Sequence, residues 1–201
     1  RSQLRSDKES SIRVKTQSCN SLVEFLKGLV NEENSAKLLT NFTADLVKLL
    51  SQLFEYSLKE SYSPLQEASL SALSLLSNIL EKEFAPFYDQ LMPGLKKLFF
   101  GLNAQTQEQK KLKSNTIETM SFLCSSISED REKYLTDLNE IANAFLNYMK
   151  NIPEEDPQLT SILNGFTHLS LALKEKFEPI LVQLLPILKN FIAADIGFKA
   201  E

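Results

Sequence analysis

A segment with helical spacing and a proline at its centre occurs twice in this chain, in the same register. "EFAPFYDQLMPGLKKLF", residues 83–99, is echoed by "KFEPILVQLLPILKNFI", residues 176–192. Phe84, Pro86, Gln90, Leu91, Pro93, Leu95 and Lys96 recur 93 residues later as Phe177, Pro179, Gln183, Leu184, Pro186, Leu188 and Lys189. A proline inside a helix removes one backbone hydrogen bond and crowds the preceding turn, at a cost of about 3 kcal/mol. An expense incurred twice at a fixed offset marks an internal repeat, and repeats limit the possible folds more than any other sequence signal.

Apolar residues follow helical spacing almost throughout. A first helix places Ile12, Cys19, Leu22, Val23, Leu26 and Val30 on one face, and "NEENS" ends it. A second, about 36–57, directs Leu39, Phe42, Leu46, Leu49, Leu50 and Phe54 inward. Ser63 as N-cap, Pro64 at the first helical position and Gln66 closing a capping box predict the start of a third, with Leu65, Ala68, Ala72, Leu73, Leu76 and Ile79 buried. The proline segment is the fourth. Thr106 and Gln109 form a capping box for a fifth, with Leu112, Ile117, Met120, Leu123, Cys124 and Ile127 inward. A sixth runs from about 131 to 150 with Tyr134, Leu138, Ile141 and Phe145. Asp156 caps and Pro157 opens a seventh, which carries Leu159, Ile162, Leu163, Phe166 and Leu173. The echo is the eighth.

The helices form two series. The A series starts near 36, 84, 131 and 177, and the B series near 10, 64, 107 and 157. Each recurs every ~46 residues, the period of HEAT-type helix pairs. The expected fold is therefore all-α, an α-solenoid of antiparallel A/B pairs. Residues 10–33 form a lone B helix, 34–83, 84–129 and 130–175 form full repeats, and 176–196 form a lone A helix. An A helix on the convex side can bend over its neighbours and turn the carbonyl freed by proline toward water. Neither end shows a polar capping repeat, so the chain is expected to be a piece of a longer array.

Composition narrows the function. A net charge of -4 disfavours nucleic-acid binding, which needs clustered Lys and Arg. Two distant cysteines, Cys19 and Cys124, have no metal-ligand spacing and fit a reducing compartment. No apolar run approaches the ~18 residues of a membrane span, and no targeting pattern leads the chain. The triplet Asn41-Phe42-Thr43 is read as chance, inside a helix. No phosphate loop, nucleophile elbow or dinucleotide fingerprint occurs, so no enzyme and no cofactor is expected. His168 is expected to be a packed helix residue and Cys124 a small buried hydrophobe.

Four blocks in order, "EKEFAPFYDQLMPGLKKL", "KLKSNTIETMSFL", "PEEDPQLTSIL" and "KEKFEPILVQLLPIL", resemble the karyopherin-beta (importin-beta) nuclear transport receptors, and within them the importin-5 (karyopherin beta 3) branch. The resemblance runs from about residue 10 to residue 196. It implies a middle segment of an import receptor that shuttles between cytoplasm and nucleus through the nuclear pore. It also implies three partners: cargo proteins with lysine-rich signals on a concave face built from B helices, Ran GTPase through the full-length receptor, and phenylalanine-glycine nucleoporins in grooves between A helices.

Position within the repeat then nominates residues. Polar side chains early in the B helices, Gln66, Glu67, Asn115, Glu118, Gln158, Ser161 and Asn164, are candidates for cargo. Carboxylates attract a lysine, and amides hold extended backbone. A plain solvated face is the alternative for each. Phe87, Tyr88, Phe99 and Phe100 are candidates to border a nucleoporin groove, with core packing as the alternative. Glu154, Glu155 and Asp156 either complement the positive end of the seventh helix or form an acidic lip. Lys110, Lys111 and Lys113 read as a solvated face or an acid-binding cluster. A HEAT scaffold subunit of a phosphatase- or condensin-type assembly shares the fold and stands as the other functional reading.

Overall fold

The computed structural model describes residues 2–30 and 32–196. Nine α-helices follow one another among them: α1 Ser2–Leu29, α2 Ser35–Thr40, α3 Thr43–Lys59, α4 Ser63–Leu80, α5 Tyr88–Gly101, α6 Gln107–Ser126, α7 Arg131–Lys150, α8 Gln158–Leu173 and α9 Glu178–Ile196. There is no strand among the described residues. The solenoid expectation holds. α1, α4, α6 and α8 stack in series as one continuous layer, and α3, α5 and α7 pack each on the B helix that follows. The A helices meet one another only sparingly. The B helices thus form the closely packed layer and the A helices the splayed one.

The B helices build the core as their spacing requires. Leu65, Ala68, Ala72, Leu73, Leu76 and Ile79 of α4 are all buried, as are Leu112, Ile117, Met120, Leu123 and Cys124 of α6. Thr106 and Gln109 form the expected capping box. The one expected at Ser63 does not form. Tyr62 is the N-cap of α4 with no side-chain bond, and Gln66 turns away to another partner.

Two further expectations are corrected. The second helix is broken between α2 and α3. Phe42 N–H closes a tight turn on Leu39 O at 2.8 Å, and the Thr43 hydroxyl donates to the same carbonyl at 2.9 Å. Threonine hydroxyls compete in this way with the helical ladder. The break shifts the register, so Val47 and Leu50 point inward while Phe42 and Leu49 lie exposed. The Asn41 triplet therefore lies at the break and not inside a helix.

The 93-residue echo encodes a corner as well as a proline. Each B helix in the echo turns into its A helix without a linker. Glu81 (φ 46°, ψ -120°) and Lys174 (φ 52°, ψ -124°) adopt nearly the same left-handed conformation. The 3-10 turns Glu81–Phe87 and Lys174–Phe177 follow at once, anchored by buried Phe84 and Phe177. Pro86 belongs to the first turn and Pro179 to the first turn of α9, where proline is tolerated. Pro86 lies inside the 3-10 turn, while Pro93 and Pro186 interrupt α-helix interiors. Both are exposed, and the carbonyls they leave unpaired belong to Asp89 and Val182, which are also exposed. Water can satisfy them, as the convex-side reading requires.

Polar links cross the boundaries between repeats at a regular separation. Lys96 reaches Glu140 at 2.6 Å and Arg131 reaches Glu175 at 3.3 Å, each 44 residues apart. Lys110 reaches Asp156 at 2.7 Å, 46 residues apart.

Candidate functional site

The B layer presents two hollows on one face, because one stripe of α6 lines both. Lys111, Asn115 and Glu118 lie four and then three residues apart, on the same side of the helix. The first hollow, about 300 Å³, lies between α1, α4 and α6 and is bordered by Glu24, Lys27, Glu67, Lys111 and Asn115. Glu67 Oε2 accepts Lys111 Nζ at 2.6 Å, and Asn115 Nδ2 donates to Ser71 Oγ at 3.2 Å. The second, about 150 Å³, lies between α6 and α8 and is bordered by Glu118, Ser161, Asn164 and His168. Glu118 and Asn164 are exposed there. Desolvation by the flanking helices raises the Glu118 carboxyl pKa. His168 rests edge-on against Phe122 at 4.4 Å, with Nδ1 buried and without a hydrogen-bond partner. Burial lowers its pKa and favours the neutral ring. Polar side chains and carboxylates lining one strip of the B layer have the chemistry to hold an extended basic segment.

The A side carries hollows of different character. Between α3 and α5 a groove of about 590 Å³ is lined by Phe54, Leu58, Leu91, Leu95 and Leu98 and floored by Leu70 and Leu73 of α4. Gly94 opens its wall, since a Cβ there would meet nothing within 4 Å. Between α5 and α7 the hollow is bridged by charge. Lys96 binds both Asp137 and Glu140, and Tyr88 Oη donates to Asp137 at 2.5 Å. Buried Tyr88 has its hydroxyl pKa raised, first by burial and then by neighbouring charge.

The helical pairs agree with a comparison to known families. A family model described as "Importin subunit beta-1-like, TPR repeats" matches residues 40–198. The chain belongs to the importin-beta family. A probable importin-5 homolog of Dictyostelium discoideum is 29% identical over 143 residues, or 71% of this chain. The chain spans 13% of that relative's length. The resemblance to the importin-beta receptors and their importin-5 branch is thus borne out. The repeat spacing here, about 46 residues, is that of HEAT-type pairs and longer than the 34 of a TPR motif.

Within this importin-beta frame the candidate residues fall into distinct groups. Glu67, Asn115, Glu118, Ser161 and Asn164 line the two inner hollows. Gln66 and Gln158 do not. Gln66 is 7% exposed and donates through Nε2 to Ser57 O at the end of α3, at 3.1 Å. Gln158 is 1% exposed, accepts from Tyr148 Oη at 2.8 Å and donates to Asp156 Oδ1 at 3.0 Å. Both are corrected to interior amides that tie a B helix to the preceding A helix or turn. The signal was present in the sequence. Gln66 lies one and two turns before Leu70 and Leu73, and Gln158 one turn before Ile162, all on the buried face.

Of the outer candidates, Phe99 is corrected to core, while Tyr88, though buried, borders the α5–α7 hollow between two A helices. Tyr88 and Phe99 are 2% and 3% exposed, and Phe87 is half-buried against Phe84. Phe100 is 59% exposed. None of the four lines the apolar α3–α5 groove. The solvated-face reading of the lysine cluster fails at Lys113 and holds at exposed Lys111. Lys113 is buried, donates to Leu102 O at 2.7 Å, and sits 4.1 Å over the Tyr148 ring. Burial lowers its pKa. Asp156 accepts the Gln158 backbone N–H at 3.0 Å, as a cap should, while Glu154 and Glu155 stay exposed. Among the described residues no group of His, Cys, Asp and Glu could hold a metal ion, and no helix is long and apolar enough to cross a membrane. Cys19 is buried, with its thiol pushed up to about 11, and Cys124 is buried and shifted in the same direction.

Proposed function

We propose that this chain is a segment of a nuclear import receptor that binds lysine-rich cargo on its inner face. The observation that carries the reading is the family match across residues 40–198, on a solenoid whose inner stripe presents an unpaired Glu118. Glu67, Asn115, Glu118, Ser161 and Asn164 are the cargo contacts. Carboxylates meet ammonium groups, and the amides and the hydroxyl meet the extended backbone between them. The segment acts by reversible binding and not by catalysis. Its repeats belong to a receptor that moves between cytoplasm and nucleus, docks at the nuclear pore, and releases cargo when Ran-GTP binds elsewhere on the full-length protein. The α3–α5 groove receives phenylalanine side chains of nucleoporin repeats, a role assigned to Leu58, Leu91, Leu95 and Leu98 in place of Tyr88 and Phe99.

Calorimetric titration with a lysine-rich peptide tests the inner face. Glu67→Lys combined with Glu118→Lys weakens binding at least tenfold while helicity is retained, since each replacement removes an attraction and adds a repulsion. Unchanged affinity removes both residues from the site. Retention on immobilised phenylalanine-glycine repeats separates a transport receptor from a scaffold, which should pass through unbound.

A further inference from the structure

The inner face is partly occupied by the chain itself. Lys111 Nζ lies 2.6 Å from Glu67 Oε2 across the α4–α6 boundary. The two partners are held unequally. The Lys111 side chain is 65% exposed and that of Glu67 is 20% exposed, so the carboxylate is fixed and the cation is the part able to leave. On α1, at the other side of the same hollow, Glu24 is matched by Lys27 at 2.7 Å. Both acids bordering this hollow therefore carry a lysine from the protein. Glu118, in the neighbouring hollow on the same α6 stripe, faces Ser161, Asn164 and His168 and no cation of that lining.

We infer that Lys111 is an internal competitor for the inner face, occupying Glu67 in the way a ligand lysine would. The inference rests on the reading of this face as a site for basic segments. A basic ligand enters at the open Glu118 and gains the α4–α6 section only by displacing Lys111 from Glu67. A pair with one partner this exposed is weak enough to be exchanged. Lys111 then sets a threshold. A single lysine satisfied at Glu118 gains little from the first hollow, whereas a ligand with several lysines spans both and outcompetes the tethered cation. The tether keeps Lys111 at high local concentration, so an isolated charge does not dislodge it.

The test is fluorescence anisotropy with a labelled, glycine-flanked tetralysine peptide against four forms of the 201-residue chain: wild type, Lys111→Met, Glu67→Gln and the double variant. Met keeps the bulk of the aliphatic stem, and Gln keeps the shape of Glu67. Lys111→Met is expected to bind about three- to tenfold tighter than wild type, from release of the pair and loss of a like charge. In the Glu67→Gln background the gain shrinks below about twofold, because the carboxylate being competed for is gone. Binding by Lys111→Met where wild type shows none supports the inference equally. Equal or weaker binding by Lys111→Met overturns it and leaves the cargo reading standing, as does a full gain in both backgrounds. Absence of binding in all four forms overturns the cargo reading and this inference with it.

Discussion

Gly165 lies where α8 packs tightly against α6 and α7, and replacing it with alanine is a sharp test of the repeat packing. A Cβ at this position would lie 2.8 Å from Ser121 Oγ on α6, and 3.0 and 3.3 Å from two ring atoms of Phe145 on α7. Neither neighbour is free to retreat. Ser121 Oγ is buried and donates to Ile117 O at 2.6 Å. Phe145 is fully buried, with its centroid 5.5 Å from Phe99 and 6.3 Å from Phe166. On helix propensity alone Gly→Ala gains about 1 kcal/mol. Overpacking of a filled site costs about 1–3 kcal/mol, and turning Ser121 away forfeits a buried bond worth about 1 kcal/mol. The expected net effect is a loss of about 1–3 kcal/mol, opposite in sign to propensity. Urea unfolding followed by far-UV circular dichroism measures it. Gly94→Ala is the control, because a Cβ there meets nothing and should give the full gain of about 1 kcal/mol. Adding Ser121→Ala to Gly165→Ala should recover part of the loss by removing the 2.8 Å contact. If Gly165→Ala is as stable as wild type or better, the close approach of α8 to α6 is not as described and the packing argument fails.

Asp156→Asn tests the link between α6 and the start of α8. Burial alone would raise this carboxyl, but the Lys110 bond and two bonds from Gln158 outweigh it and hold its pKa below the ordinary value. A depressed folded pKa adds stability above the unfolded value near about 4, and that stability is lost as pH falls through the folded one. The variant should therefore be about 1–3 kcal/mol less stable at pH 7, and the gap in urea midpoint should narrow as pH drops below about 4. At the two corners, Glu81→Gly and Lys174→Gly should each raise stability by about 0.5 kcal/mol, as relief of left-handed strain exceeds the entropy glycine adds to the unfolded chain. Glu81→Val should lower it by about 1–2 kcal/mol, and equal midpoints for Gly, Glu and Val would show that the corner is not left-handed.

The order of helices, the two series and the B-helix core were legible because period and register are properties of the sequence itself. Thr106 and Gln109 announced the start of α6 for the same reason: both halves of the capping box lie within four residues. The corners were not legible. A left-handed residue is ordinarily signalled by glycine or asparagine, and here the positions hold Glu81 and Lys174, held in place by buried Phe84 and Phe177. Lys113 was misread because a charge run looks the same whether its members face water or two aromatic rings. Only the fold brings Tyr148 and Leu102 to that ammonium. The outer groove was not legible because its walls come from α3 and α5 with α4 beneath, and its leucines carry the same helical spacing as core.

The regular spacing of the polar links has a mechanical consequence. Arg131 with Glu175 and Lys110 with Asp156 each fasten one unit to the next and reach no farther. Failure at one such joint is therefore local: strain or substitution there loosens two adjacent units, and the rest of the stack keeps its own fastenings. Such a molecule can flex at one joint while a distant face keeps its shape.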